Sequence, residues 1–488
     1  MKLKALVRGI TDFEVKGSKE IELSGLAIDS RTVAPGNLFL AKRGAAFDGA
    51  QFIPQAIHAG AVAILTDLYD PSLPVTQVIA KEPHLWEAKL ASRFYGAPSK
   101  ELFVCGVTGT KGKTTTSYMI WHLLKGLGRC AGLISTVETL FGDERRASTL
   151  TTHSALYNQK LLREMRNAGL EAVSLEVSSH GLEQGRVDEI DFSMALFTNL
   201  HPDHLDYHKT VEEYARAKKR LFERPNLKRA LFNADNSWSE FMREGLHIPS
   251  WTFGLDNLAD VRAKDIEFNA QGTQFTVEFQ GQKQRFCSHL MGRFNVYNAL
   301  GAIGVGLYLG AHLSDIAKIL ASFQTAPGRL EQIPNERGVL VFVDYAHTGE
   351  ALENVLKTLR EIAKRRVICV FGAGGNRDLS RRTQMAQAGE RLADVSIVTS
   401  DNPRQEDPKE IARQILSGFS DPKRVLVELD RKAAILQAIA LAQPEDIVLI
   451  AGKGHEKIQI FAHQTVPFDD VAIAKEALAK VGPMCNSL

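Results

Sequence analysis

The stretch CGVTGTKGKTTT, Cys105 to Thr116, links an apolar run, LFVCGV, to the helical pattern TTTSYMIWHLLKGLG. Strand, glycine-rich turn and helix in that order form the repeating unit of a parallel α/β sheet. The turn departs from the usual phosphate-loop pattern, in which a glycine and four other residues precede Gly-Lys-Ser/Thr. Val107 stands where that first glycine belongs, and the glycines present are Gly106, Gly109 and Gly112. Backbone N–H groups of such a turn converge on phosphate oxygens, helped by the positive end of the helix dipole. Lys113 would reach the terminal phosphates, and Thr114 or Thr115 would offer a hydroxyl to Mg²⁺. A ligand-free glycine turn is the alternative, but the strand–turn–helix context around Gly-Lys-Thr disfavours it.

The same alternation recurs towards the C-terminus. Strand-like runs VLVFVDYA, RVICVFGAGG, VSIVTSD and DIVLIAGKG alternate with helical stretches ALENVLKTLREIAKR, PKEIARQILSGF and KAAILQAIALA. Apolar strands between amphipathic helices predict a parallel sheet covered on both faces. Turn-rich junctions at RFYGAPSKE and QTAPGRLE divide the 488 residues into blocks 1–98, 99–327 and 328–488. Short strands AVAILT and PVTQVIA and a helix around FIPQAIHAG occupy the first block.

Lys+Arg 59 against Asp+Glu 57 leaves a net charge of +2, so no polyanion-binding surface is indicated and no nucleic-acid partner is expected. The five cysteines form no C-x-x-C and no framework, which argues for a reducing compartment. No apolar segment suits a signal peptide or a membrane span. A cytoplasmic monomer without a membrane partner is the expectation.

Several residues carry chemistry. Glu176 ends the apolar run AVSLEV, where a carboxylate would hold Mg²⁺; alone it reads equally as an exposed strand-end acid. In FTNLHPDHLDYHKTVEEYARAKKRLF, His201, His204 and His208 suggest zinc at first sight. Pro202 disfavours one helix through all three, and no thiolate accompanies them; one histidine near Mg²⁺ and phosphate is equally compatible. Val211, Tyr214, Ala215, Leu221 and Phe222 define an apolar helix face that includes Lys218. Either Lys218 snorkels to water, or burial depresses its pKa and frees a neutral amine for chemistry. Asp344 and His347 fall at a strand-to-helix turn. FGAGGNRD, IAGKGHEK and SDNPRQEDP are further turns at strand ends, the last presenting Arg404, whose fork suits a carboxylate.

Taken together, GTKGKTTT, LEVSSHGL, TNLHPDHLDYH, HLMGRFNVYNAL, PGRLE, VDYAHT and AGKGHE resemble, in order, the motifs of the Mur ligases. These are ATP-dependent amide-forming enzymes of peptidoglycan precursor synthesis, and the resemblance spans essentially the whole chain. It implies a small N-terminal α/β domain, a central nucleotide-binding parallel-sheet domain and a C-terminal Rossmann-like domain. IDSRTVAPGNLFLAKRG and the TT of TLTTHS are similar to members that add the third peptide residue, and DNPR to those that take meso-diaminopimelate. The implied reaction phosphorylates the D-glutamate carboxylate of UDP-MurNAc-L-Ala-D-Glu with ATP and Mg²⁺, and the amine then attacks the acyl phosphate.

Carried over by position, Gly109, Thr110, Lys111, Gly112, Lys113, Thr114 and Thr115 bind ATP with Asn295, Arg329, Asp344 and His347. Thr115, Glu176, His204 and Lys218, the last as a carbamate, match the metal ligands. Lys113, Glu176, His204, Lys218 and Arg329 are the implied catalytic set. Ile28, Ser30, Ala45, Ala46, Phe47, Thr151, Thr152, Ser178, Gln184 and Arg186 match the UDP-substrate site. Arg377, Asp401, Asn402, Pro403, Arg404, Gly452 and Glu456 match the diaminopimelate site. Leu150, His153 and Lys111 depart from the family's common residues. The rival readings are a lysine-adding relative, a folylpolyglutamate-synthetase-like ligase, and a nucleotide-dependent switch without ligation.

Overall fold

A computed structural model describes residues 1–42, 48–269 and 272–481. The chain forms two compact units, one of residues 1–262 with 297–316, the other of 263–296 with 317–488.

The first unit holds two sheets. The smaller has five strands, in spatial order Glu14–Lys16, Thr76–Ile79, Ala63–Thr66, Asn37–Leu40 and Gly25–Ala27, parallel except for the first. In the larger, Phe103–Thr108 runs parallel between Met194–Phe197 and Ala172–Glu176. Arg229–Asn233 and Ser250–Gly254 extend one side, and Ala131–Ile134 extends the other, all parallel. Glu138–Phe141 and Glu144–Ala147 finish that side as an antiparallel meander.

Phe103–Thr108 is buried along almost its full length because helices cover both faces, which is why FVCGVT reads as unbroken apolar sequence. Helix Lys113–Gly126 follows the glycine turn. Register sets Glu176 beside Val107 and Phe197 beside Thr108, so three strand ends open on one edge of the sheet. Loops at such an edge are the usual ligand-binding positions of a parallel sheet.

Local chemistry fixes the helices that carry site residues. The Ser154 and Thr210 side chains accept N–H groups of Tyr157 and Glu213, capping helices Ala155–Asn167 and Val211–Lys219. Helix Glu87–Tyr95 stops at Gly96, which takes a left-handed conformation.

The second unit is built on a sheet of six strands: Glu331–Ile333, Leu340–Asp344, Ile447–Ala451, Val367–Phe371, Val395–Val398 and Leu426–Val427. All are parallel except the first. Helices including Gly349–Ile362, Ser380–Leu392, Arg431–Leu441 and Asp470–Val481 bury its two faces. Residues 263–296 contribute an antiparallel hairpin, Gly272–Phe279 with Gln282–Ser288; the first strand alternates polar and apolar residues from Gln274, and the second opens with four polar residues.

Candidate active site

The glycine turn is held open by neighbours that only glycine tolerates. Gly109 has φ +150°, and a Cβ there would collide with the Thr198 hydroxyl; Gly112 has φ +83°, and a Cβ would meet the Asn298 amide. Asn199 stitches the turn from outside. Its carbonyl accepts the Thr110 N–H at 2.8 Å, and its side chain accepts the Lys111 N–H at 2.9 Å. The Thr198 hydroxyl donates to the Lys111 carbonyl at 2.7 Å. Thr198 and Asn199 open the motif TNLHPDHLDYH, but their role in holding the turn was not legible because their strand is paired with the loop strand across about ninety residues.

Two lysine side chains converge on one carbonyl. Lys113 Nζ donates to Gly109 O at 2.9 Å and to Thr110 O at 2.9 Å, while Lys218 Nζ donates to Gly109 O at 2.8 Å. Lys218 is only 1% exposed and lies over the Tyr214 ring, 4.3 Å from its centroid. Burial, and next the Lys113 charge, hold Lys218 well below the ordinary lysine range. Snorkelling is therefore excluded, and the neutral amine is favoured. Lys219 instead lies over Phe241, and Arg220 is exposed.

Glu176 is wholly buried. Its Oε2 accepts the backbone N–H and hydroxyl of Thr136, whereas Oε1 has no hydrogen-bond partner. A buried carboxylate oxygen left unpartnered at a strand end fits a hard, oxygen-seeking cation. Thr115 lies in the first turn of the helix after the loop. His204 has φ +54° and precedes the short helix Leu205–His208, so the chain turns sharply after Pro202 rather than running on as helix. The His204 ring packs edge-on to Tyr214, the ring that also underlies Lys218. His208 also packs on Tyr214, but its ring nitrogens are engaged, meeting Ser179 Oγ at 2.9 Å and Glu183 at 3.1 Å. Among the described residues no group of three or more His, Cys, Asp or Glu is placed to hold a metal ion. The hydroxyl of Thr115 and a modified Lys218 fall outside those residue types.

Four of the residues matched to the UDP substrate, Thr152, Ser178, Gln184 and Arg186, form a connected chain. Thr152 Oγ1 donates to the Glu176 carbonyl and accepts the Ser178 N–H, both at 3.0 Å. Arg186 donates to the Thr152 carbonyl at 2.8 Å and to Gln184 Oε1 at 2.7 Å. Gln184 donates on to Tyr207 at 3.1 Å. In the smaller sheet's vicinity Ser30 donates to Gln55 at 2.7 Å, and Ile28 packs on the core of that sheet. Ala45, Ala46 and Phe47 lie outside the described residues. Lys42, just before them, forms an ion pair with buried Glu87, which also accepts the Leu156 N–H.

In the second unit, the ends of Leu340–Asp344 and Ile447–Ala451 lie in register. Asp344 accepts the Leu330 N–H at 2.6 Å, and burial pushes its carboxyl up to about 6, with the Arg329 charge pulling the other way. Arg329 lies over the Tyr345 ring at 4.8 Å, and Tyr345 packs against His347 and His455. Burial, then Arg329, brings His455 down to about 4. Asn295, near the start of helix Arg293–Tyr308, donates to the Met291 carbonyl at 2.8 Å.

Asp401 to Arg404 form a tied loop. Lys453, with no exposed surface, donates to Asn402 Oδ1 and pairs with Glu456 Oε2, both at 3.0 Å. Asn402 Nδ2 donates to the same Glu456 oxygen at 2.8 Å. Arg404 stands at φ +55°, a costly conformation for a non-glycine residue, and donates to the Gly375 carbonyl at 2.9 Å. Arg377 is exposed on the same glycine loop. Asp401 Oδ2 is buried without a hydrogen-bond partner and lies close to Gly452, whose φ is +120°. Below this loop Arg431 forms a two-pronged ion pair with Asp470, at 2.8 Å and 2.7 Å, with neither side chain exposed. A remaining Arg431 N–H reaches the Ala451 carbonyl at 3.0 Å, just before Gly452. Neither Lys453 nor Arg431 stood out in the sequence.

Three family models match: Mur ligase family, catalytic domain, at residues 22–95; Mur ligase middle domain at 107–306; and Mur ligase, glutamate ligase domain, at 328–454. The chain belongs to the Mur ligase family. It is an ATP-dependent, amide-bond-forming ligase of the Mur ligase fold. A relative from Geobacillus kaustophilus is 42% identical, covering 99% of this chain and 100% of its own, and one from Caldanaerobacter subterraneus subsp. tengcongensis is 41% identical, covering 98% and 99%. Both are named UDP-N-acetylmuramoyl-L-alanyl-D-glutamate–2,6-diaminopimelate ligase. A solved structure bearing that name is 32% identical with a TM-score of 0.72, covering 99% of each chain. A MurF ligase from Thermotoga maritima in complex with ADP, 20% identical, has a TM-score of 0.65 over 94% of this chain and 98% of its own, a likeness of fold alone.

Proposed function

We propose that this Mur ligase joins meso-diaminopimelate to the D-glutamate of UDP-MurNAc-L-Ala-D-Glu, with ATP driving the step through an acyl phosphate. Near-full-length relatives named for diaminopimelate ligation support the substrate pair. The observation that carries the chemistry is Lys218 beside the phosphate loop, its pKa lowered by burial and then by the Lys113 charge. Only a neutral amine reacts with CO₂, and the resulting carbamate, formed with loss of one proton from the nitrogen, would put an anionic oxygen pair where the buried amine stood.

Gly109 to Thr115 cradle the ATP phosphates, and Lys113 moves from loop carbonyls to phosphate oxygens. Thr115, Glu176, His204 and carbamylated Lys218 would hold Mg²⁺, which supplies charge neutralisation at the transferring phosphoryl group. Asn295, Arg329, Asp344 and His347 are assigned to the nucleotide. Ile28, Ser30, Ala45 to Phe47, Thr151, Thr152, Ser178, Gln184 and Arg186 are assigned to the UDP substrate. Arg377, Asp401 to Arg404, Gly452 and Glu456 are assigned to diaminopimelate. Domains of residues 1–98, 99–327 and 328–488 divide these roles, in a cytoplasmic monomer.

Catalysis on this reading is placement and electrostatics rather than covalent work by the protein. Arg404 supplies selectivity, because its guanidinium meets the distal carboxylate of diaminopimelate and lysine offers none. The test is product mass: UDP-tripeptide must form only when ATP, the UDP-dipeptide and diaminopimelate are all present. Hydrolysis of ATP without amide formation would reject it.

A further inference from the structure

Thr136 lies in the loop after strand Ala131–Ile134 and belongs to no motif. Parallel pairing with Ala172–Glu176 brings it to the Glu176 carboxylate. Its N–H donates to Glu176 Oε2 at 3.0 Å, and its hydroxyl makes a short hydrogen bond to the same oxygen. Thr136 Oγ1 and Thr151 Oγ1 lie 3.0 Å apart.

With Glu176 in the ionised form that a cation would bind, proton counting sets the direction of this chain. A hydroxyl carries one proton, and a carboxylate accepts but does not donate. The Thr136 proton therefore goes to Glu176, and the proton between the two threonines comes from Thr151. Two consequences follow. Both Thr136 donors occupy one oxygen of Glu176, which leaves buried Oε1 as the oxygen without a partner. The Thr151 proton is spent inward, so its hydroxyl meets a substrate only as an acceptor.

We propose that Thr136 is a positioning residue that couples the Glu176 carboxylate to the Thr151 hydroxyl, linking a cation site to the UDP-substrate site through one hydrogen-bonded chain. The substrate group that meets Thr151 is then a donor, an amide N–H or a hydroxyl, and not a phosphate or carboxylate oxygen. Hydrogen bonds in such a chain polarise one another, so a cation on Oε1 and a donor on Thr151 influence each other's affinity.

This inference rests on the proposed function. Its test compares Thr136→Val, which keeps shape and removes the hydroxyl, with Thr136→Ser, which keeps the hydroxyl. Two affinities are read without turnover: Mn²⁺ to the ADP-bound protein by electron paramagnetic resonance, and UDP-MurNAc-L-Ala-D-Glu by calorimetry without metal. Thr136→Val should weaken both about tenfold, the size of a lost hydrogen bond to a charged group, and Thr136→Ser should hold both within about twofold. Either affinity unchanged in Thr136→Val, or both lost in Thr136→Ser, overturns the proposal. Should Thr136→Val not fold, Thr151→Val serves instead: it must weaken Mn²⁺ binding severalfold, and unchanged Mn²⁺ affinity overturns the coupling. Failure of the unmodified protein to bind the UDP-dipeptide would instead reject the substrate reading itself.

Discussion

Lys218 shows how one buried amine serves chemistry at the expense of stability. The unfolded chain protonates this lysine throughout the neutral range, while burial in the folded chain, and next the Lys113 charge, hold its pKa well below the ordinary lysine value. The unfolded state therefore binds the extra proton, and its contribution to folding stability improves as pH rises towards about 10.4, the unfolded value. At pH 7 the unmodified amine is a liability. In CO₂-free, metal-free buffer, Lys218→Met should raise the melting temperature at pH 7 by about 2 °C and lose that advantage above pH 10. The same change should abolish turnover, and short carboxylates should partly restore activity to Lys218→Ala. Full activity of Lys218→Ala would refute the carbamate.

Arg404 illustrates the same trade in the backbone. Its positive φ is held by an N–H to the Ile460 carbonyl and a side-chain bond to Gly375. Arg404→Ala should reduce kcat/KM for diaminopimelate by about a hundredfold or more while ATP affinity stays within about threefold. Equal loss of both, measured by calorimetry and initial rates, would remove the selectivity role.

The phosphate loop carries the prediction at the scale of elements. Val107 cannot supply the early turn, since it lies inside the strand Phe103–Thr108. Gly109 supplies it, packed against Thr198 and Asn199. Gly109→Ala should cost about 1–3 kcal/mol in stability and weaken ATP binding more than tenfold, read by urea denaturation and calorimetry. Wild-type ATP affinity would show that the turn tolerates a Cβ.

Much at this scale was legible. The helix face carrying Lys218 followed from 3.6-residue spacing, and the loop's strand and helix from an apolar run followed, across the glycine turn, by a helical pattern. Thr136, Asn199 and Lys453 were not legible, because each acts through a partner roughly forty to ninety residues away that only strand pairing or loop packing supplies. A buried lysine between two glycines, as in AGKGHE, has no periodic face to betray it.

Over the whole molecule, alternating apolar runs and amphipathic stretches announced the parallel sheets of both units. The antiparallel edges Glu138–Phe141 with Glu144–Ala147, and Gly272–Phe279 with Gln282–Ser288, were not read, since short or polar strands gain definition from their partners. Family membership rests on near-full-length relatives, whereas the roles of individual residues rest on burial, hydrogen bonding and charge at the strand ends.

The most direct measurement is phosphate release from ATP with UDP-MurNAc-L-Ala-D-Glu and a panel of amino acids that includes meso-diaminopimelate and L-lysine. Release should require the UDP-dipeptide and rise sharply with meso-diaminopimelate alone among the panel. Equal or greater release with lysine, or release indifferent to the UDP-dipeptide, would contradict the proposed function.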